Sequence, residues 1–242
     1  MLASIILLAG IAALATSSPI TSRDWQPGNY PPYTTSSGIV LIANLSNPFN
    51  TIFDPPVQHW SLGSVHVGAG INAAVLGPSP GHVFFVNGSG PEISAEATSL
   101  NLPPYASTGA GPVPLGLVYS PTNKEGYLYV NIALGTKGTG IRSGLRSPYP
   151  LLFTPGGSEF MVCNVTQPVY GRPQYPVHVV GEDGEVPDHC ARMHLLPQCA
   201  TLPEPLLGQE EFGWQKVDAS CYEDVKSLDW QKYSDPVSWR KQ

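Results

Sequence analysis

The chain has 242 residues, 25 of them glycine and 26 proline, with 18 acidic against 12 basic side chains and a formal net charge of −6. Proline removes a backbone donor and glycine lowers helix stability by roughly 1 kcal/mol relative to alanine, so a helical bundle is excluded. The whole net charge lies after residue 181, where twelve acids meet six bases; a neutral body with an acidic end has no electrostatic footprint for nucleic acid or anionic lipid.

Residues 2–14 form an uncharged run of Leu, Ile, Ala and Gly that ends in Ala13-Leu14-Ala15, a small-x-small pattern. The run is too short to cross a hydrocarbon core of about 30 Å, so residues 1–15 read as a signal peptide and the mature protein is expected outside the cell, with no membrane association after processing. No later stretch has the length and apolarity of a transmembrane helix, and the charged end at Arg240 and Lys241 argues against a lipid-anchor tail. Residues 16–37, rich in Ser, Thr, Pro and Tyr, read as an extended leader without a core of its own.

Residues 38–202 read as one β domain. A first strand is predicted over 38–45, ended by Asn47-Pro48. Residues 60–67 alternate, with Trp60, Leu62, Ser64 and His66 on one face, and Gly68-Ala69-Gly70 permits a tight turn before 73–76 pairs back. Further strands are predicted over 83–87, 115–120, 127–134, 151–154, 159–164 and 177–180; in the third of these, Tyr127 and Tyr129 face opposite to Leu128 and Val130. About nine or ten short strands at this spacing predict an all-β antiparallel sandwich or barrel, with a β-trefoil-like barrel as the alternative. Residues 203–242 differ: they are charged and aromatic, and 220–232 reads as a short helix with Tyr222, Val225 and Leu228 inward, part of an appendage wrapping the β body.

Three sequons begin at Asn44, Asn87 and Asn164, and each predicts a glycan on an exposed side chain once the chain is exported. Four cysteines, Cys163, Cys190, Cys199 and Cys221, read as two disulfides in an oxidising compartment, with three connectivities open. A zinc site built from His189, Cys190, His194 and Cys199 competes, but its spacing fits no zinc pattern; no metal or cofactor is expected.

The segment from His66 to Leu76, with Gly68, Ala69, Gly70, Asn72, Ala74, Val75 and Leu76 in register, resembles the H-x-G-A-G-x-N-x-A-V-L motif of a fungal secreted protein family that carries a domain of unknown function. Phe84 to Ser89, Phe160 to Asn164, Val169 to Val177, and Pro187 to Cys190 with Leu195-Leu196-Pro197 resemble further segments of that family in order. The likeness covers about residues 38–202. It departs at Phe160 and around Tyr175, where the family has Trp, and in two extra cysteines and the charged tail. The resemblance implies a fungal source, export and a β fold, and no activity. It also favours pairing Cys163 with Cys190, which leaves Cys199 with Cys221.

Gly77-Pro78-Ser79-Pro80-Gly81, followed by His82, matches G-x-S-x-G in letters, but two prolines flank the serine and a strand follows where a nucleophile elbow needs a helix. The glycine-rich run 135–140 reads as a mobile loop rather than a phosphate cradle. His66 and Asn72 read as supports of the Gly68/Gly70 turn, the ring bonding backbone carbonyls and the amide capping the turn. Glu92 and Glu96 read as solvated surface acids. The functional expectation is therefore a non-catalytic monomer that binds a cell-wall or host-surface glycan or protein, with Trp60 or Tyr105 as sugar-stacking candidates. The alternative is a hydrolase with an unfamiliar site drawn from His66, Glu92, Glu96 and His178.

Overall fold

A computed structural model describes residues 30–49, 51–78, 80–88, 104–107, 115–122, 125–132, 134–143, 149–167, 172–180, 184–203 and 216–233. In chain order the strands are β1 (Thr34–Ser36), β2 (Gly38–Leu45), β3 (Ser61–Gly68), β4 (Ile71–Gly77), β5 (Val83–Asn87), β6 (Pro104–Ser107), β7 (Leu115–Thr122), β8 (Glu125–Asn131) and β9 (Gly140–Arg142). They continue as β10 (Leu151–Phe153), β11 (Phe160–Cys163), β12 (Val165–Gln167), β13 (Arg172–Gln174), β14 (Val177–Val179), β15 (Cys190–Ala200), β16 (Lys216–Val217) and β17 (Ala219–Cys221). Two single 3₁₀ turns follow, Val225–Ser227 and Trp230–Lys232.

Eight strands close a circuit in the order β14-β11-β15-β2-β5-β6-β7-β8 and back to β14, every pair antiparallel. This is the all-β barrel that the strand spacing predicts. The described strands show no threefold repeat of the circuit, which sets the trefoil-like alternative aside. Alternation fills the barrel. Ile39, Leu41, Ala43 and Leu45 of β2 point inward with Phe84 and Val86, Leu128 and Val130, Phe160 and Val162, and Met193 and Leu195, all buried in one cluster. An eight-strand barrel has an interior just wide enough for side chains to fill.

The β3–β4 hairpin lies between β2 and β8, joined to them at Ile42↔Ser61 and Ala73↔Tyr129. Its base is buried through Leu62 and Leu76, and its far end is exposed. The reversal is the two-residue turn Ala69-Gly70, in which Gly70 takes φ 74°, a conformation that costs glycine little. A register shift between His66 and Gly68 marks a β-bulge beside the turn.

One prediction is corrected here, and one strand was not among those predicted. The longest strand, β15, carries Pro197 in its interior. Proline is tolerated there because the contact with Tyr222 uses the Pro197 carbonyl and the Cys199 N–H, so the missing donor breaks no bond. The helix expected over 220–232 is replaced by β17 and the two 3₁₀ turns, since Cys221 pairs across to Thr34 of β1. Asp224 caps the first turn by accepting from the Lys226 N–H at 3.0 Å. Tyr30 and residues 33–36 thus join the 216–233 segment as one strap. It packs Tyr149, Tyr222 and Val225 against outward-facing Ile42 and Leu196 of the barrel wall.

Candidate functional site

The outer wall across β4, β8, β14 and β11 holds a groove of about 360 Å³. The alternation that buries Leu128 and Val130 turns Tyr127 and Tyr129 outward, where their rings lie nearly parallel with centroids 6.1 Å apart. On the neighbouring strand His178 is the direct cross-strand partner of Tyr127, and its ring meets the tyrosine edge-on at 4.8 Å. The tyrosine covers the imidazole, so His178 is buried although it points away from the core. Ala73 opposite Tyr129 leaves room that a larger residue would fill. Val67, Val165 and Pro176 add apolar wall.

The far side is the Cys163–Cys190 disulfide with His189 beside it. The two cysteines are directly opposed on β11 and β15, with Cα atoms 4.0 Å apart. Cys163, Cys190 and His189 bring their ligand atoms within 4.8 Å of one another, but both sulfurs are tied in the S–S bond and offer no thiolate to a metal. The zinc grouping considered from sequence is divided: Cys199 is joined to Cys221, and His194 faces the Ser158 carbonyl at 2.9 Å.

Among the described residues, no Asp, Glu, Lys or Arg lines the groove. Burial, and then the nearby Tyr127, push the Tyr129 phenol above the ordinary tyrosine range, so it stays a neutral hydroxyl. The groove therefore offers ring faces, a hydroxyl that can donate or accept, and imidazole, with no fixed charge. That is chemistry for an uncharged ligand having apolar faces and hydroxyls.

The residues singled out from sequence fall elsewhere or in part. His66 Nδ1 lies 3.2 Å from Asn72 Oδ1, so the ring faces the amide side chain. Asn72 reaches across to β8 instead of capping the turn: its N–H donates to Asn131 Oδ1 at 2.8 Å and its Nδ2 to the Val130 carbonyl at 3.1 Å. Asn44, Asn87 and Asn164 are all half-buried. Asn44 Oδ1 accepts from Gln58 Nε2, and Asn164 Nδ2 donates to the Ile52 carbonyl.

Trp60 and Tyr105 are not open sugar platforms. Trp60 packs edge-on against Tyr175 at 5.2 Å, and Tyr105 is buried beside Phe85. The 135–140 loop is tied down through Thr136, whose Oγ1 accepts from the Tyr119 N–H and donates to its carbonyl. His82 Nε2 sits 2.8 Å from Ser64 Oγ, and burial lowers its pKa. Ser79, Glu92 and Glu96 lie outside the described residues. Of the two described residues offered for a hydrolase, His178 is a groove residue and His66 is not. Tyr129 and His189 were missed; the outward position of Tyr129 was readable, but its neighbours across the sheet depend on register.

A family model described as a domain of unknown function, DUF7907, matches residues 36–199. The chain belongs to the DUF7907 family. The matched span takes in the barrel circuit to within the last residue of β15, the β3–β4 hairpin and the groove, and leaves out the 216–233 part of the strap. A relative named antigenic protein SchS34, from Stachybotrys chartarum, is 35% identical over 234 residues, covering 90% of this chain and 99% of its own. No solved structure matches.

Proposed function

We propose that this DUF7907 protein is exported, N-glycosylated and acts outside the fungal cell as a non-catalytic binding protein. Its groove would hold an uncharged sugar of a wall or host surface. The observation that carries this reading is the paired Tyr127 and Tyr129 rings, edged by His178, in a wall depression without fixed charge. Sugar rings present C–H faces to aromatic rings and hydroxyls to polar side chains. Two disulfides fit an oxidising compartment, and a relative named as antigenic fits a protein that meets its surroundings.

The test is retention of the purified protein on insoluble wall polysaccharides, together with a neutral-glycan array. Wild type should be retained, and Tyr127→Ala should bind at least about tenfold more weakly, as expected for an aromatic anchor. Equal binding by the two proteins, or no retention by either, defeats the groove reading. Export is checked separately by the mass and N-terminal sequence of protein recovered from culture medium, before and after removal of N-glycans. An unprocessed chain confined to the cytosol would count against it.

A further inference from the structure

A second hollow of about 230 Å³ opens between the two segments of the strap, the volume of about seven or eight waters. Its chemistry differs from that of the groove. Tyr33 and Tyr222 supply aromatic wall, Glu223 and Asp224 bring two carboxylates, and among the described residues no Lys or Arg lines it. Tyr222 is buried to within 1% of its surface, yet its hydroxyl has no hydrogen-bond partner among the described residues. The nearby Trp230 indole N–H is in the same condition. Burial first, then the neighbouring Tyr149 and Tyr33, push the Tyr222 phenol far above the ordinary range, so it stays protonated.

A buried polar atom without a partner asks for a bound water or a ligand. Ring faces together with carboxylates select a cation, since the aromatic quadrupole and the fixed negative charge both favour it. Asp224 Oδ1 is engaged in capping the 3₁₀ turn, and an aromatic face favours an organic ammonium over a hard metal ion that takes oxygen ligands. The nearest base on the turn, Lys226, is exposed and is not among the residues lining the hollow.

We propose that the hollow between Tyr33, Tyr222, Glu223 and Asp224 is a binding site for a small organic ammonium. The cation would lie against the exposed Tyr33 ring with its charge toward the two carboxylates. This site is independent of the groove, and neither reading depends on the other.

The test is calorimetric titration of the full-length protein with choline and with putrescine, against the uncharged choline isostere 3,3-dimethylbutan-1-ol. At least one cation should bind saturably, and the isostere at least about tenfold more weakly, the effect of losing roughly 1.4 kcal/mol. Glu223→Gln and Tyr33→Leu change exposed side chains and should leave the thermal midpoint unchanged while each weakens the cation about fivefold or more. Absence of saturable binding by both cations, equal binding of the neutral isostere, or undiminished affinity in both variants overturns the proposal.

Discussion

Across β4, β8 and β14 the barrel's outward-facing tyrosines stand in an open groove; over β2 and β15 the outward-facing residues lie under a second layer. In the first place Tyr127 is exposed and carries no load from above. In the second, Tyr149 and Tyr222 are buried because Tyr30 and Trp230 close over them, with Tyr30 edge-on to Tyr149 at 5.4 Å and Trp230 edge-on to Tyr222 at 5.6 Å. Strand alternation turns Tyr127 and Tyr129 outward on β8 and Ile42 and Leu196 outward on β2 and β15, so the difference comes from the strap that covers the second pair. The charge asymmetry follows it. The excess of acids sits after residue 181, and Glu223 and Asp224 carry it to the strap while the groove has none.

The largest test of this contrast uses the disulfides, because each belongs to one region. They span 27 and 22 residues, so loop entropy alone assigns each about 3.5 kcal/mol. Cys163→Ala/Cys190→Ala and Cys199→Ala/Cys221→Ala should therefore lose similar stability in urea. They should part company in limited proteolysis. The second pair anchors β17 to β15, so its loss should open cleavage within residues 216–233 under native conditions, and loss of the first should not. Matching digestion patterns would show that the strap is held without its disulfide.

Single aromatics sharpen the same contrast at smaller scale. Trp230 touches Tyr149, Tyr222 and Tyr233, and Trp230→Ala should cost about 2 kcal/mol, less than a fully buried tryptophan because the ring is half exposed. Tyr127→Ala should cost under about 1 kcal/mol and act on binding. Chemical denaturation of both variants separates the two roles, and a reversal of the order would mean that the groove tyrosine carries the structural load.

Much of the barrel was legible because alternation is a local signal: Tyr127-Leu128-Tyr129-Val130 states which side faces in without reference to anything else. What alternation cannot state is the neighbour across the sheet. That His178 pairs with Tyr127 and Ala73 with Tyr129 depends on register between segments about 50 residues apart. Trp60 and Tyr105 were misplaced for this reason, since Tyr175 and Phe85 come to them from distant chain. The strap was divided in the reading into leader and appendage because β1 and β17 are three residues each, too short to show a period, and pair over a separation that no local pattern records. The cysteine pairing was reached through family resemblance, as spacing alone leaves three choices.

Acid should bear on stability through two partly buried histidines. Burial holds the His82 ring below the ordinary value near 6.5, and His59, beside the strap, is lowered by burial and then by Lys226, with Asp224 opposing. As pH falls through that value the unfolded chain takes up protons that the folded rings resist, so stability is full above it and declines below. Urea midpoints at pH 7.5 and 5 should show the decline, and His82→Gln should flatten it. A midpoint independent of pH would remove these rings from the balance.

The smallest effect separates packing from an unmet polar group. Tyr222→Phe keeps the ring that fills the space under Trp230 and deletes the hydroxyl. If that hydroxyl has no partner, it was stripped of water on folding and received nothing in exchange, and its removal should leave stability unchanged or raise it by up to about 1 kcal/mol. Tyr149→Phe is the companion measurement, because the Tyr149 ring lies in the same cluster but its group has contacts beyond the ring pairs. A Tyr222→Phe variant less stable by 1 kcal/mol or more would mean that the hydroxyl is bonded in solution, to water or to a small molecule carried through purification. Repeating the measurement at saturating choline distinguishes these. A cation bonded to the hydroxyl should stabilise wild type more than the variant, whereas a bridging water should leave the difference between them unchanged.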